Sequence, residues 1–263
     1  MILNVTDISS YTYCPRKFFL EKVQGLRKPP SKPMIEGKIR HEIREAFSKS
    51  EKAFIQALPQ LEEPIIIDRF NKLLDNLIDN NFTQNSQLIN KFSINKQELK
   101  QKIRKSLARD FSLRASSIKQ AMEKGFLGQE LWQNLSPKYA SELFIIAENL
   151  NLKGRIDRVQ FNTQIIPFEL KTRPATRIWP SDEIQLAAYS LLLESKYKQP
   201  VNQGILEAGQ QVNKIEISSE KKEQVKQLIR EIQNMIQEKK MPPHPSRFNK
   251  CRKCSFYKEC YES

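Results

Sequence analysis

Two successive apolar segments decide the fold of this chain: GRIDRVQF, residues 154–161, and IIPFELKT, residues 165–172. Both are rich in β-branched and aromatic residues, and an Asn-Thr pair between them indicates a tight turn, so they predict a β-hairpin. Because side chains alternate between the two faces of a strand, Glu169 and Lys171 share one face. The hairpin brings Asp157 near them. Charges beside a core cost free energy unless something pairs them.

Two explanations account for these three charged side chains. Two close carboxylates raise each other's pKa, and a divalent cation between Asp157 and Glu169 would remove that conflict. Oxygen ligands suit Mg²⁺ or Mn²⁺. Lys171 would then orient a water molecule or stabilise charge developing on a phosphate, which predicts metal-assisted phosphodiester hydrolysis. The alternative is a buried or half-exposed salt-bridge group without catalytic function.

Outside the hairpin, the sequence predicts further strands and amphipathic helices. SELFIIAENL (141–150) precedes the hairpin as a third β-rich run of an antiparallel meander, and VNQGILEAG and NKIEIS indicate later strands. Helical periodicity marks residues 34–47, 181–197 and 218–240. In 181–197, Ser181 or Asp182 is the expected cap. The fold class is therefore α/β or α+β, with a small mixed sheet flanked by helices.

The chain is expected to form a single domain, 1–263, that carries a large helical insertion at 50–138. The insertion shows apolar positions at i, i+3 and i+4 but no motif that suggests chemistry. One of its helical faces is basic. That face either contacts nucleic acid or is ordinary solvated helix surface, and it comprises Lys96, Lys100, Lys102, Arg104 and Lys105.

The charge of the 263-residue chain is unusually positive, at +14. A basic surface attracts polyanions, and nucleic acid is the commonest one inside cells, although a solubility charge is the plainer explanation. The sequence contains no apolar run long enough to span a bilayer and begins without a secretory signal, so we expect a cytoplasmic protein with no membrane partner. It also lacks the P-loop pattern of a helicase motor.

The four cysteines are clustered in a way that suggests a metal site. Three lie in CRKCSFYKEC near the C-terminus, as Cys251, Cys254 and Cys260, and Cys14 lies near the N-terminus. Thiols in a reducing compartment rarely form disulfides. A C-x2-C pair with two further thiols matches the needs of a tetrahedral metal or an iron–sulfur site. Unrelated core cysteines are the alternative.

The order of the motifs along this chain resembles that of the PD-(D/E)xK nuclease superfamily, and within it the RecB-like iron–sulfur branch that includes CRISPR-associated exonucleases. The matching pieces are YCPRKFF, EGKIRHE with His41, GRID ending at Asp157, ELK from Glu169 to Lys171, QLAAY with Gln185 and Tyr189, and the three C-terminal cysteines. The resemblance implies a restriction-endonuclease-like mixed α/β fold.

The resemblance also implies roles for these residues. Asp157 and Glu169 would bind the catalytic metal together with His41 and the Leu170 carbonyl, and Lys171 would help activate water. Gln185 and Tyr189 share a helical face at i, i+4 spacing and would bind substrate or support the site. A [4Fe–4S] cluster would be held by Cys14, Cys251, Cys254 and Cys260, joining region 6–20 to region 241–263. Structural zinc fits the same ligand count.

The function that follows is metal-dependent hydrolysis of DNA, in particular of single-stranded DNA from an end. One setting is the processing of fragments for CRISPR adaptation, with the CRISPR integrase complex as partner. Another is DNA repair beside a helicase. Two non-hydrolytic alternatives stay open at this point: a nucleic-acid-binding protein with a degenerate nuclease fold, and an iron–sulfur redox sensor.

Overall fold

The computed structural model describes residues 1–171, 177–208, 211–245, 248–252 and 254–261. Thr172, which ends the second of the two fold-deciding segments, lies outside these ranges. The chain forms two compact units, which we call the sheet unit and the helical unit. The sheet unit comprises Met1–Pro29, Leu143–Val159 and Gln164–Ser263, and the helical unit comprises Pro30–Glu142 and Gln160–Thr163.

The helices of the described chain divide between the two units. Those of the sheet unit are α1 (Val5–Tyr13), α2 (Pro15–Lys22), α8 (Pro180–Tyr197), α9 (Ser219–Glu238), α10 (Phe248–Cys251) and α11 (Tyr257–Tyr261). Those of the helical unit are α3 (Lys32–Gln56), α4 (Glu63–Gln84), α5 (Ser86–Lys91), α6 (Lys96–Glu123) and α7 (Gly128–Asn134). A short 3-10 helix spans Glu148–Leu150.

Within the described residues, six strands form one sheet. They are β1 (Leu3–Asn4), β2 (Lys138–Ala147), β3 (Leu152–Phe161), β4 (Ile165–Lys171), β5 (Gln203–Ala208) and β6 (Gln211–Glu216). The order is β1-β3-β4-β5-β6, with β2 paired to β3. Strand β1 runs parallel to β3 and β4 parallel to β5, whereas β5 and β6 are antiparallel. The sheet is therefore mixed and flanked by helices, which confirms the predicted fold class.

The connections between strands place the predicted site residues. Only residues 162–164 link β3 to β4. Parallel neighbours need a long crossover, so a link this short makes β3 and β4 an antiparallel hairpin, as the sequence predicts. The parallel pair β4 and β5 has such a crossover, and α8 supplies it. Helix α8 packs against both strands, including β4, which carries Glu169 and Lys171.

Local sequence explains where the helices of the sheet unit begin. Cys14 is extended, with φ −161° and ψ 105°, and separates α1 from α2. Pro15 then occupies the first position of α2, where proline loses no helical hydrogen bond. Helix α8 begins at Pro180 rather than behind a Ser181 or Asp182 cap. The reason is that the Asp182 carboxylate accepts the N–H of Trp179, 3.1 Å away, from within the first turn.

The core of the sheet unit is tight where β3 meets two helices. A Cβ atom on Gly154 would lie 2.7 Å from Cγ2 of Val5 in α1 and 3.1 Å from Cδ1 of Leu192 in α8. Real Cβ atoms do not approach other atoms so closely, because interiors are packed at crystal-like density. Gly154 therefore lets β3 lie against α1 and α8.

The helical unit has its own hydrophobic core. The segment 50–138 lies within this unit. Ile35, Ile39 and Ile43 are buried along one stripe of α3, as their i+4 spacing predicts, and pack with apolar residues of α4, α6 and α7. In the part of the chain that the structure describes, every helix is too short or too polar to cross a lipid bilayer.

Candidate active site

Asp157 is buried in the middle of β3, with 7% of its surface exposed. Its Oδ2 accepts the backbone N–H of Leu170 on β4 at 2.7 Å. A carboxylate held by a backbone donor is fixed in orientation. The bond also explains how the hairpin brings Asp157 beside the ELK segment. The predicted role of the Leu170 carbonyl as a metal ligand is not tested by this contact and stays a prediction.

Glu169 and Lys171 lie on the same face of β4, as strand alternation predicts. Glu169 is 5% exposed, and its Oε1 lies 2.7 Å from Nζ of Lys171. The ammonium group also lies 3.5 Å from Oδ1 of Asp182 in α8. The two charges that the sequence places beside the core therefore pair with each other. A buried carboxylate would otherwise lose its hydration without compensation.

Helix α8 supplies two further side chains to Glu169. Gln185 Nε2 donates to Oε2 of Glu169 at 2.7 Å, and the Tyr189 hydroxyl donates to the same oxygen at 3.1 Å. Gln185 Nε2 also lies 2.9 Å from the Tyr189 oxygen, and Gln185 Oε1 accepts from Lys171 Nζ at 3.0 Å. The i, i+4 spacing makes this closed network possible, because both side chains project from one helical face.

Burial and neighbouring charge shift two pKa values in this network. Burial raises the pKa of Tyr189 well above its ordinary value, and the Glu169 and Asp157 carboxylates raise it further. Tyr189 is therefore a neutral donor at physiological pH. Burial lowers the pKa of Lys171, but attraction to Glu169, Asp182 and Asp157 outweighs burial, so the net shift is upward. Lys171 is therefore a stable cation.

Asp182 is a site residue whose contact with Lys171 the sequence did not reveal. It is buried, and its two oxygens face different partners: Oδ2 the backbone of Trp179, and Oδ1 the ammonium of Lys171. Its position in SDEIQ predicted helix capping, but not a contact with a strand residue eleven positions earlier. A carboxylate in the first turn of α8 is favoured by the helix dipole in either case.

The predicted ligand His41 lies in α3 of the helical unit, and its partner there is Glu142. His41 Nδ1 and Glu142 Oε1 are 2.7 Å apart. A carboxylate that accepts Nδ1–H selects the tautomer with an unprotonated Nε2, and this is the form of imidazole that ligates metals. Glu142 itself is buried and has φ 54°, a left-handed conformation that non-glycine residues adopt at a cost.

The structure thus brings together five of the predicted residues inside the sheet unit: Asp157, Glu169, Lys171, Gln185 and Tyr189. His41 belongs to the helical unit, and its participation in one metal site with Asp157 and Glu169 stays a prediction. Sequence reasoning missed Glu142. The available signal was an acidic residue in the otherwise apolar run SELFIIA.

The four cysteines are reduced, and all lie in the sheet unit. Cys14, Cys251 and Cys260 are buried, and Cys254 is half-buried. Arg16, near the start of α2, donates through Nε to the Cys260 sulfur at 3.1 Å and through a second nitrogen to the Cys260 carbonyl at 3.0 Å. This arginine joins the two ends of the chain.

The thiols are close enough to influence one another electrostatically. Burial raises the pKa of Cys260, Arg16 lowers it, and the charges of Cys14 and Cys251 raise it again. A hydrogen bond to Cys251 raises the pKa of Tyr261 to about 12. Several buried sulfurs with a guanidinium donor are a fitting donor set for a thiolate-ligated group, because ligation removes the charge conflict between the thiols.

The basic face predicted on α6 is largely neutralised by acidic neighbours in the helical unit. Arg104 pairs with Asp75, and Lys102 with Glu98. Lys100 lies 3.1 Å from Asp79 and 3.5 Å from Asp75. These pairs reduce the positive charge that the face offers to phosphates, which favours the alternative of ordinary solvated helix surface.

One known protein family matches nearly the whole length of the chain. A family model of the PD-(D/E)XK nuclease superfamily matches residues 2–261, and the chain belongs to this superfamily. The match confirms the resemblance that GRID, ELK and the later motifs indicated.

A curated relative and two solved structures are also similar to the chain. A CRISPR-associated exonuclease Cas4/endonuclease Cas1 fusion of Leptospira interrogans serogroup Icterohaemorrhagiae serovar Lai (strain 56601) is 27% identical over 155 residues, which cover 53% of this chain and 28% of the fusion. The chain therefore aligns with little more than a quarter of that relative.

Of the solved structures, one is a candidate exonuclease from Eubacterium rectale, with a TM-score of 0.48 and 10% identity over 98% of this chain and 87% of its own. The other, SSO0001, has a TM-score of 0.33 and 14% identity over 87% of this chain and 98% of its own. Both scores are too low to carry an argument, so membership rests on the family match.

Proposed function

We propose that the protein is a metal-dependent deoxyribonuclease that degrades single-stranded DNA from an end. The observation that carries the proposal is the ion pair between buried Glu169 and half-buried Lys171, which Gln185 and Tyr189 hold in place beside Asp157. A chain that needed only a structural ion pair would not require a second carboxylate and two more donors at the same point. Ionisable groups with shifted pKa values, such as Lys171 and Tyr189, are concentrated at functional sites.

The residues present fit a hard divalent cation. We propose that Asp157 and Glu169 hold Mg²⁺ or Mn²⁺, with His41 and the Leu170 carbonyl completing the ligand set. Carboxylate and carbonyl oxygens with one imidazole suit these ions. When bound, the cation supplies Lewis acidity toward the phosphate and lowers the pKa of a water molecule. Glu142 supports this arrangement, because its contact with Nδ1 leaves Nε2 of His41 as the ligating atom.

The protein's own side chains then have separate tasks. The Lys171 ammonium stabilises the negative charge that grows on the phosphate as a water oxygen bonds to phosphorus and one bridging P–O bond breaks. The proton lost by the water balances the proton gained by the leaving alkoxide. Gln185 and Tyr189 orient the Glu169 carboxylate. Their hydrogen bonds to Glu169 favour this supporting role over the direct substrate contact that the sequence also allowed.

We propose a [4Fe–4S] cluster on Cys14, Cys251, Cys254 and Cys260, with zinc as the alternative. The burial of three thiols and the Arg16 hydrogen bond to Cys260 support a thiolate-bound group. Held this way, the group would tie the first helices to the C-terminal segment and stabilise the sheet unit, since metal binding energy is folding energy where no site exists in the unfolded chain.

The proposed biological setting is the processing of DNA ends before CRISPR integration, with the integrase complex as partner. The support is the similar relative, whose name joins an exonuclease to a Cas1 endonuclease. A repair exonuclease that works with a helicase is the alternative setting. A non-catalytic nucleic-acid-binding protein is the alternative function.

End-labelled single-stranded DNA tests the catalytic proposal. With Mn²⁺, the wild-type protein should shorten linear strands and leave a circular single strand intact, whereas Lys171→Ala should leave both intact. Lys196→Ala, an exposed lysine at the far end of α8, is the matched control and should cleave like wild type. Equal degradation by wild type and Lys171→Ala would remove the catalytic assignment, and cleavage of the circle would remove the requirement for an end.

A further inference from the structure

The exposed aromatic side chains of the sheet unit share one property. Among the described residues, the large hydrophobic side chains that are exposed include three aromatic rings, and all three belong to this unit. A basic side chain lies near each ring: Lys250 at 5.2 Å from Tyr13, Arg155 at 5.9 Å from Phe144, and Arg177 at 5.8 Å from Trp179. An exposed ring beside a cation is the combination by which proteins bind single-stranded nucleic acid without sequence preference.

Trp179 differs from the other two because it adjoins the candidate active site. Its backbone N–H donates to Oδ2 of Asp182 at 3.1 Å, and Oδ1 of the same carboxylate lies 3.5 Å from Nζ of Lys171. The Asp182 side chain therefore connects Trp179 to the Lys171 ammonium group, which we propose stabilises charge on the phosphate. The backbone of Trp179 and the ammonium of Lys171 therefore contact the same carboxylate at the start of α8.

The Trp179 indole is not part of the hydrophobic core, so packing does not account for its place on the surface. Trp179 keeps 43% of its surface exposed. A tryptophan buries one of the largest apolar areas of any side chain, so leaving it open forgoes considerable stabilisation. The neighbouring acids do not make the corner repulsive to phosphate, because Asp182 contacts Lys171 and Glu183 pairs with Lys221.

We propose that Trp179 stacks on a nucleobase of the strand next to the phosphate that is cleaved, while Arg177 contacts a neighbouring phosphate. The inference rests on the proposed function for its substrate class, single-stranded DNA. Stacking accepts any base, because every base presents a π face. The site would therefore position a strand of any sequence with its backbone toward Lys171.

Fluorescence tests the stacking directly. The chain has two tryptophans, so Trp132→Phe, in the helical unit, leaves Trp179 as the sole indole. Oligothymidylate carrying a fluorescent end label is added in EDTA, where no cleavage occurs, and its anisotropy reports binding. Quenching of Trp179 emission in parallel with binding supports the inference. Binding without quenching overturns it, and so does the absence of binding.

Replacing single nucleotides of the strand by abasic sites tests which base Trp179 stacks on. One abasic site at the stacked position should weaken binding to wild type by about 5- to 100-fold, and other positions should have less effect. Trp179→Ala should bind the intact strand about as weakly as wild type binds the abasic one, and the abasic site should add no further loss. Trp179→Phe should retain most of the affinity. Leu113→Ala, an exposed apolar residue of α6, should behave like wild type.

Kinetics separate this inference from the catalytic proposal. Trp179→Ala should raise KM by about tenfold and leave kcat within a few-fold of wild type, which is how loss of uniform binding appears. Equal abasic profiles for wild type and Trp179→Ala would overturn the stacking role even if both proteins cleave DNA. Conversely, quenching and an abasic signature in a protein that never cleaves would retain the stacking site and remove the nuclease assignment.

Discussion

The hydroxyl group of Tyr189 lies 3.1 Å from Oε2 of Glu169, and Tyr189 is only 2% exposed. Gln185 donates to the same oxygen at 2.7 Å, so two donors from α8 converge on one atom of the β4 carboxylate. The other oxygen, Oε1, lies against Lys171. The relationship means that helix α8 sets the direction of Glu169, and it makes the helix part of the catalytic apparatus that we propose.

Removal of the Tyr189 hydroxyl should therefore impair metal use without breaking the fold. Tyr189→Phe keeps the ring but deletes one donor to Glu169. We expect a roughly 10- to 100-fold loss of activity or metal affinity, the usual effect of losing a partner of a metal ligand. The Mn²⁺ concentration for half-maximal cleavage measures it. Tyr197→Phe, at the end of the same helix, is the matched control. If both variants show wild-type metal dependence, Tyr189 does not orient the ligand.

His41 should depend on Glu142 in the same way. Glu142→Ala removes the acceptor of the Nδ1–H bond, so the imidazole loses its fixed tautomer and orientation. We expect metal affinity to fall by about 10- to 100-fold. Isothermal titration with Mn²⁺ measures this loss, and the exposed Glu148→Ala is the control. Unchanged Mn²⁺ affinity in both His41→Ala and Glu142→Ala would exclude His41 from the ligand set.

How far the sequence predicts this site depends on how local each relationship is. Strand alternation placed Glu169 and Lys171 on one face, and helical periodicity placed Gln185 and Tyr189 together, because both patterns repeat within a few residues. The break between α1 and α2 at Cys14 and Pro15 likewise depends only on adjacent residues. The hairpin that carries Asp157 needed only a short turn.

Contacts between residues far apart in the sequence could not be predicted in this way. His41 and Glu142 are 101 positions apart, and their contact depends on tertiary packing and on the left-handed backbone at Glu142. The parallel pairing of β1 with β3 also has no local signal. The family resemblance supplied His41 as a candidate, but it did not supply the partner that orients it.

The cysteine assignment predicts that all four thiols act together. We expect the purified wild-type protein to absorb broadly in the visible range and to lose this absorbance on reduction, with iron found by elemental analysis. Each single Cys→Ser variant at 14, 251, 254 or 260 should lose the absorbance and lower the Tm, since the bound group contributes to folding. If elemental analysis finds zinc and the protein does not absorb in the visible range, the bound group is zinc and not an iron–sulfur cluster. Loss in only some of the four variants would contradict a shared site.

The helical unit contains a buried ion pair whose disruption should be costly. Arg114 Nε lies 2.8 Å from Glu51 Oε1, both side chains are buried, and Arg114 also donates to the Pro137 carbonyl at 2.8 Å. Removing one partner leaves the other charge without compensation in the core. Glu51→Ala should therefore lower the free energy of unfolding by about 3–5 kcal/mol.

A double replacement separates the charge effect from packing. Glu51→Leu combined with Arg114→Met should cost far less than Glu51→Ala alone, because no unpaired charge then remains in the core. Urea unfolding measures both variants. The exposed pair Asp68–Lys72 is the control, and Asp68→Ala should cost at most about 0.5 kcal/mol. If Glu51→Ala were as mild as Asp68→Ala, water would reach Arg114 in solution, and the pair would not be part of a closed core.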